Sequence, residues 1–354
     1  MTLKIDKVLD PAFAGFDTII DVRSPAEFAE DHLPGAINLP VLDDEQRAQV
    51  GTIYKQISPF DARKLGGALV AANAARHIST VLADKPGSWK ALVYCWRGGQ
   101  RSGSFAMILS QIGWRVDKIE GGYKSWRARV VERVTNLPIS SPIIVLDGNT
   151  GSAKTEILQH LAARGHQVID LEGLAHHRGS LFGAMPGGQP SQKMFEGHLA
   201  AALESLDPTR PVLMEAESSR IGDLSLPRAV WKGLCGAPRL HLSVPLAARA
   251  AYTAAAYSDM TADPEAILGI IDKLRPQHSA AQIGQWREQA EQGQWADLAE
   301  GLMQQHYDPR YNSHRARHDD GRGAVVELEG LRDLEGAASR VEAALAQMAA
   351  PSRA

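Results

Sequence analysis

Ile143-Ile144-Val145-Leu146-Asp147-Gly148-Asn149-Thr150-Gly151-Ser152-Ala153-Lys154-Thr155 is the stretch of this 354-residue chain that decides its fold. Residues 143–147 are a short apolar run with the length of a buried strand, and residues 156–163 read as helix. The loop between them matches G-x4-G-K-[ST], with Ala153 where the last glycine belongs. Strand, loop and helix in that order make a cradle for phosphate. The backbone N–H groups of Gly148, Asn149, Thr150, Gly151, Ser152 and Ala153 surround the anion, Lys154 reaches its oxygens, and Thr155 offers a hydroxyl to Mg²⁺. Ala153 places a methyl group where the backbone closes on phosphate, which disfavours tight nucleoside-triphosphate binding and leaves a diphosphate as the better ligand.

Working outward, strands are predicted at residues 167–171, 212–215, 240–244 and 324–328, the last followed by a helix over 331–348. The 212–215 strand ends in Glu215 and Glu217, candidates for acid/base work or for Mg²⁺. Arg178, in a polar stretch beside a strand end, is a candidate phosphate contact. His176 and His177 have no further Cys or His at zinc spacing, so no metal is assigned. Upstream, residues 19–22 and 91–94 are buried-strand runs, each followed by a helical stretch, and residues 43–81 read mostly as helix. Pro and Ser cluster over 136–142, which marks a boundary. The expected domains are 1–137, 138–323, and a C-terminal strand/helix extension of the second domain over 324–354.

Cys95-Trp96-Arg97-Gly98-Gly99-Gln100-Arg101-Ser102 follows the second of those strands. Two glycines let successive N–H groups point at one centre, and the following helix adds the positive end of its dipole. Arg97 and Arg101 add formal charge, a setting that favours a nucleophilic thiolate.

With 44% hydrophobic and 22% charged residues the chain is globular rather than disordered. Its 38 Lys and Arg against 41 Asp and Glu give a net charge of −3, which excludes a protein that coats nucleic acid unspecifically but leaves room for local basic patches. Two cysteines, Cys95 and Cys235, argue against a disulfide framework and for a reducing compartment. Neither a leader-like apolar stretch at the start nor a run approaching ~20 apolar residues is found, so a cytoplasmic protein without membrane association is expected.

Asp21-Val22-Arg23, then Asp31-His32-Leu33-Pro34-Gly35-Ala36-Ile37-Asn38, and later Gly121-Gly122-Tyr123-Lys124-Ser125-Trp126 resemble the two signatures of the rhodanese family, over roughly residues 5–133. The resemblance implies a chalcogen carrier at Cys95. Arg101 lies six positions after Cys95 where compact rhodaneses usually have five, a spacing shared with cysteine phosphatases, although Tyr94 stands where those commonly carry His.

A rhodanese-like loop followed by a P-loop is joined by His177-Arg178-Gly179-Ser180-Leu181-Phe182-Gly183, Gln189-Pro190-Ser191-Gln192 with Phe195-Glu196, Glu217-Ser218-Ser219-Arg220-Ile221-Gly222, and Tyr307-Asp308-Pro309-Arg310-Tyr311. Together these resemble the tRNA 2-selenouridine synthase family over about residues 5–315. The implied fold is α/β, a rhodanese-like parallel-sheet domain followed by a P-loop NTPase-like parallel-sheet domain. The implied activity is a selenotransferase with geranyltransferase activity, replacing sulfur by selenium at wobble 2-thiouridine of tRNA. Selenophosphate and geranyl diphosphate are the implied substrates, with Mg²⁺ a candidate and no tightly bound cofactor. Cys95, Arg97 and Arg101 would be catalytic, and Trp96, Gly98, Gly99, Gln100 and Ser102 would bind selenophosphate. Cys95 either carries selenium covalently or organises the selenophosphate. The alternative is a sulfurtransferase with a regulatory P-loop ATPase domain.

A tRNA partner calls for positive surface. Lys118, Lys124, Arg127, Arg129 and Arg133 form one candidate cluster, and Arg310, Arg315 and Arg317 near His314 and His318 form another, with Trp96, Tyr307 or Tyr311 available to stack on a base. Trp286 and Trp295 are expected in the core.

Overall fold

The structure, a computed structural model, describes residues 1–318 and 321–349, with only the backbone at 314, 316–318 and 349. The chain divides into two compact units, Met1–Leu137 with Pro190–Ser205, and Pro138–Gln189 with the chain from Leu206 onward.

The first unit is built on five parallel strands: β1 (Thr2–Leu3), β2 (Thr18–Asp21), β3 (Ile37–Asn38), β4 (Lys90–Tyr94) and β5 (Arg115–Ile119), in the order β1-β5-β4-β2-β3. Ala91, Leu92, Val93 and Tyr94 are fully buried, as befits a central parallel strand covered on both faces, and this is why the run reads as continuously apolar. It leads straight to Cys95. The helix Gln100–Ile112 begins inside the cysteine loop and stops at Gly113, whose φ of 109° gives a left-handed C-cap. The helices Asp44–Gln56 and Pro59–Ser79 occupy the stretch predicted to be helical. β5 escapes a sequence reading because Arg115, Asp117 and Lys118 interrupt its apolar residues.

One element departs from a linear division of the chain. The helix Gln192–Glu204, capped by Ser191 on the Met194 N–H, belongs to the first unit and packs against the helix Gly122–Thr135. Its buried face includes Phe195, Leu199 and Leu203, and a Cβ on Gly197 would lie 3.1 Å from the fully buried Trp126 ring. The Glu204 carboxylate accepts the N–H groups of Val8 and Leu9 at 3.0 and 2.8 Å, and Arg133 donates to the Leu203 carbonyl at 3.1 Å. An amphipathic helix goes where its apolar stripe is covered, and that partner is not adjacent in sequence.

The second unit carries β6 (Ile143–Gly148), β7 (Gln167–Ile169), β8 (Val212–Glu215), a short antiparallel hairpin of β9 (Arg220–Ile221) and β10 (Leu224–Ser225), β11 (Arg239–Ser243) and β12 (Ala324–Glu327). Its main sheet is parallel in the order β12-β11-β6-β8-β7. β6 is central and opens into the phosphate loop and the helix Lys154–Ala163; Leu146 pairs with Glu215 of β8. β12 completes the sheet edge, and the helix Leu334–Ala349 packs on Lys154–Ala163, with Arg164 paired to Glu342 at 2.6 Å. Between β11 and β12 lies a run of helices around a core of Ile267, Ile271, Leu298, Leu302 and fully buried Trp286, against which Trp295 packs. A π-helical turn, Met303–Tyr307, leads into the helix Asp308–His318. Among the described residues no helix is long and apolar enough to cross a membrane.

Candidate functional site

The two loops singled out in the sequence lie one in each unit. In the first, Cys95 is buried at the end of β4 with its Sγ 3.2 Å from the Ser102 hydroxyl, on the first turn of the following helix. The loop is held backbone to backbone: Tyr123 donates its N–H to the Cys95 carbonyl at 2.9 Å and Lys124 to that of Trp96 at 3.0 Å. The glycines are needed for this approach. Gly98 and Gly122 have φ of 67° and 60°, and a Cβ on Gly122 would fall 2.5 Å from the Gly98 nitrogen and collide with the Cys95 carbonyl. The Gly121-Gly122-Tyr123 signature is thus a wall of the cysteine loop.

The two arginines of the loop differ. Arg97 is exposed and has no hydrogen bond or ion pair among the described residues, so its charge is available to an anion. Arg101 is committed: its guanidinium grips Glu27 through bonds of 2.6 and 3.2 Å. Burial pushes the Glu27 carboxyl up, but Arg101 outweighs it and holds the group below its ordinary range. Trp96 leans on Tyr123, ring centroids 5.2 Å apart. Tyr94 is buried, and its hydroxyl accepts the Leu33 N–H at 3.2 Å, pinning the first signature to β4. In the basic cluster ahead of the linker, Arg127 is taken up by Glu196 and Asp31 and Arg133 is buried, while Lys124 and Arg129 are exposed.

Beneath Tyr123 lies a buried polar network. Arg23 is paired with Asp21 at 2.6 Å and stands 3.9 Å over the Tyr123 ring; the Tyr123 hydroxyl donates to Asp31 Oδ2 at 2.7 Å, while Asp31 Oδ1 is buried without a partner. Burial pushes Asp31 up to about 6, against the pull of Tyr123, Arg127 and Arg23. The proton-bound form is therefore favoured by folding, a stabilisation complete below pH ~4 and lost as pH rises through about 6. Asp31→Asn keeps an acceptor for Tyr123 and removes the titration. Its stability relative to the parent should rise by about 2 kcal/mol between pH 4 and 7 in urea denaturation; a pH-independent difference would contradict this.

In the second unit, the phosphate loop has the geometry its pattern demands. Gly151 has a φ of 80°, and a Cβ there would lie 2.5 Å from the Thr253 hydroxyl and 2.9 Å from the Arg249 carbonyl. Ala153 is left-handed at φ 57°, ψ 34°, a conformation costing about 1–2 kcal/mol for an L-residue; its methyl packs in the apolar cluster with Leu146, Ile157 and Leu242. The burial of that methyl partly offsets the strain, which explains why alanine is tolerated in a glycine position. Lys154 is buried and donates to the Gly148 carbonyl at 3.0 Å, and the Thr155 hydroxyl donates to Glu172 at 2.8 Å. Ser152 closes the loop on the Asn149 carbonyl at 2.7 Å. A pocket of about 270 Å³ lies over the loop, walled by Arg178, Tyr252, Tyr257 and Tyr311. Arg178 pairs with Asp259 through Nη2 at 3.0 Å, and its buried Nη1 has no partner, which leaves a donor for an anion.

Glu215 and Glu217 are joined by Glu172, which the sequence reading passed over. Glu215 is fully buried, accepts the Glu172 N–H at 2.6 Å and leaves its Oε2 unpartnered. Glu172 and Glu217 converge around Gly179, where a Cβ would lie 2.6 Å from Glu217. Burial and the crowding of neighbouring carboxylates raise both Glu215 and Glu217 well above the ordinary range. Among the described residues no three metal-ligating side chains form an ion-holding group. Mg²⁺ fits here only as the companion of a bound diphosphate, with Thr155 and Glu172 beside it.

Arg249 and Asp308, also unread from sequence, fix the loop's far side. Asp308 takes Arg249 through bonds of 3.0 and 2.7 Å, and Arg249 donates to the Thr150 carbonyl at 3.0 Å. Tyr307-Asp308-Pro309-Arg310-Tyr311 was the available signal: its acid is this anchor. Asp147 is held low by Arg315 and Arg239 despite its burial, and Arg315 also donates to Asn149 at 2.7 Å. The side chains of His314, Arg317 and His318 lie outside the described residues. An apolar recess of about 70 Å³ adjoins the phosphate pocket, sharing Thr150, Ser180, Thr253 and Tyr257 with it, and is walled by Phe182, Ile267, Trp295, Leu298 and Leu302.

These features define a class: a rhodanese-like domain whose cysteine loop is intact, joined to a P-loop domain with a second, apolar compartment. The rhodanese-like domain family matches residues 5–129, and the family described as the tRNA 2-selenouridine synthase AAA domain matches residues 141–269. Proteins named tRNA 2-selenouridine synthase from Shewanella loihica, Nitrosomonas europaea and Aeromonas salmonicida are 40%, 38% and 39% identical over 65%, 68% and 66% of this chain. The matched region spans 62%, 63% and 62% of those relatives' own length. The chain is thus similar to tRNA 2-selenouridine synthases in both of its domains, over a little under two thirds of those relatives' length.

Proposed function

We propose that the protein is a tRNA-modifying selenotransferase that exchanges sulfur for selenium at wobble 2-thiouridine through an S-geranylated intermediate. In the first half-reaction the thiocarbonyl sulfur forms a bond to C1 of geranyl diphosphate, the C1–O bond breaks, and diphosphate leaves. In the second, selenium of selenophosphate adds to the pyrimidine C2, geranyl thiol departs, and water cleaves the Se–P bond to release phosphate. Alkylation turns sulfur into a leaving group, which the thiocarbonyl alone is not. Both donors are consumed as substrates, and no resident cofactor is required.

The observation that carries this reading is the apolar recess adjoining the phosphate pocket. A nucleotide offers no hydrocarbon to such a compartment, whereas an alkyl diphosphate has a charged end for the loop and an apolar end for the recess. Lys154 must exchange its bond to the Gly148 carbonyl for one to phosphate, and Arg178 has an N–H in hand. Mg²⁺ bound with the diphosphate would neutralise the leaving group. In the first unit, Arg97 and the N–H groups ahead of the helix would receive selenophosphate beside Cys95.

The test combines purified protein, a 2-thiouridine anticodon stem-loop, geranyl diphosphate and selenophosphate, with nucleoside mass spectrometry as readout. A geranylated and then a selenium-containing nucleoside are expected; absence of both with active substrates sinks the proposal. Filling the recess gives a sharper check. Ala299→Phe, on its wall, should raise the KM for geranyl diphosphate by about tenfold or more while inhibition by inorganic diphosphate is unchanged. Equal loss of both would show that the recess is not the hydrocarbon site.

A further inference from the structure

A transferase with one compartment for diphosphate and one for hydrocarbon needs a third opening through which the acceptor arrives. The second unit has one. A cleft of about 970 Å³ shares His177, Ser180 and Tyr311 with the phosphate pocket, and Ser180 and Tyr307 with the apolar recess. Ser180 lines all three, its hydroxyl 3.3 Å from that of Tyr257. The cleft lies at the upper end of the size range of small-molecule pockets, and its walls mix charged side chains with apolar ones such as Leu181 and Leu274.

Its cations fall into two groups. Arg239 and Arg315 are spent on Asp147, at 3.5 and 3.1 Å. Arg220, Lys273 and Arg310 are not neutralised. The Lys273 ammonium has no hydrogen bond or ion pair among the described residues, and the Arg220 guanidinium makes only a long 3.4 Å contact to the Asp223 carbonyl. Arg310 is held in place by neutral groups alone, Gln277 and His306 Nε2, the latter at 2.9 Å. His306 in turn meets His278 at 2.9 Å, and burial, with Arg310 and His278 beside it, brings its pKa down to about 4, so it accepts from Arg310 without sharing its charge. A guanidinium fixed by uncharged partners is preorganised for an anion that is not part of the fold. The remaining acids of the cleft are Glu217, already crowded by Glu172, and Asp223.

We propose that this cleft is the path of the RNA strand, with Arg220, Lys273 and Arg310 taking backbone phosphates of a single-stranded loop and Ser180 marking where its base meets the alkyl donor. The three cations come from three separate elements, the β9 hairpin, the end of the helix Pro264–Asp272 and the helix Asp308–His318, which suits an extended polyanion better than one phosphate. Tyr307 and Tyr311 on the same wall offer faces to a base. This inference rests on the proposed RNA substrate and adds where it binds.

Fluorescence anisotropy of a labelled anticodon stem-loop, titrated at salt concentrations from about 50 to 200 mM, tests it. Lys273→Ala and Arg220→Ala, which break no ion pair, should each weaken binding about fivefold near 0.1 M salt and lower the slope of log affinity against log salt by about 0.7. Inhibition by inorganic diphosphate should be unchanged in both. Variants that match the parent in affinity and slope overturn the cleft as the RNA path. A parent protein that does not bind the stem-loop at all overturns this inference together with the reading of the substrate.

Discussion

Lys154→Ala should form the geranylated nucleoside at least about 10²-fold more slowly than the parent, with no geranylated product to pass on to selenium. Lys154 is the cation of the loop itself, at the N-terminus of the helix Lys154–Ala163 and 5.9 Å from the Tyr311 ring centroid. In the proposed geranyl transfer the leaving diphosphate gains charge as the C1–O bond breaks, so a cation touching it would contribute most in the transition state. The same substitution frees the Gly148 carbonyl, at a cost of about 1–3 kcal/mol, so thermal unfolding must accompany the assay. Unchanged geranyl transfer by a folded variant would remove the phosphate loop from the mechanism.

Cys95→Ser should do the opposite: form the geranylated nucleoside at the normal rate and accumulate it, with selenium incorporation down by about 10³-fold. Serine keeps a polar partner for Ser102, so the change is in chemistry more than in packing. Retained selenium incorporation would mean that Cys95 takes no part in the selenium transfer. Lysine and cysteine variants with the same phenotype would deny that the two units divide the half-reactions.

The parts of this architecture that could be read from sequence are those where one local requirement leaves one residue type. Gly98, Gly122 and Gly151 mark places where backbone crowds backbone or where φ is positive, and the buried runs of β4 and β6 are apolar because both sheet faces are covered. The rest depends on contacts distant in sequence. Arg101 looks like an anion ligand until Glu27 is seen beside it, and Glu172 gains meaning only once Glu215 and Glu217 are packed around it. Asp308 looks like a surface acid, yet it holds Arg249 to the phosphate loop. β5 was hidden by its own charged residues, and the walls of the recess come from several helices and two loops with no shared pattern.

The helix Gln192–Glu204 has a consequence for how the protein is made. Because it covers Trp126 in the first unit yet is encoded within the second, the N-terminal half lacks this cover as it leaves the ribosome and gains it only when Ser205 has emerged, with the phosphate loop already synthesised. A chain ending at Leu137 would keep its cysteine loop but lack the cover for Trp126 and the acceptor for Val8 and Leu9. The two halves are therefore not cassettes that a gene fusion could exchange one at a time.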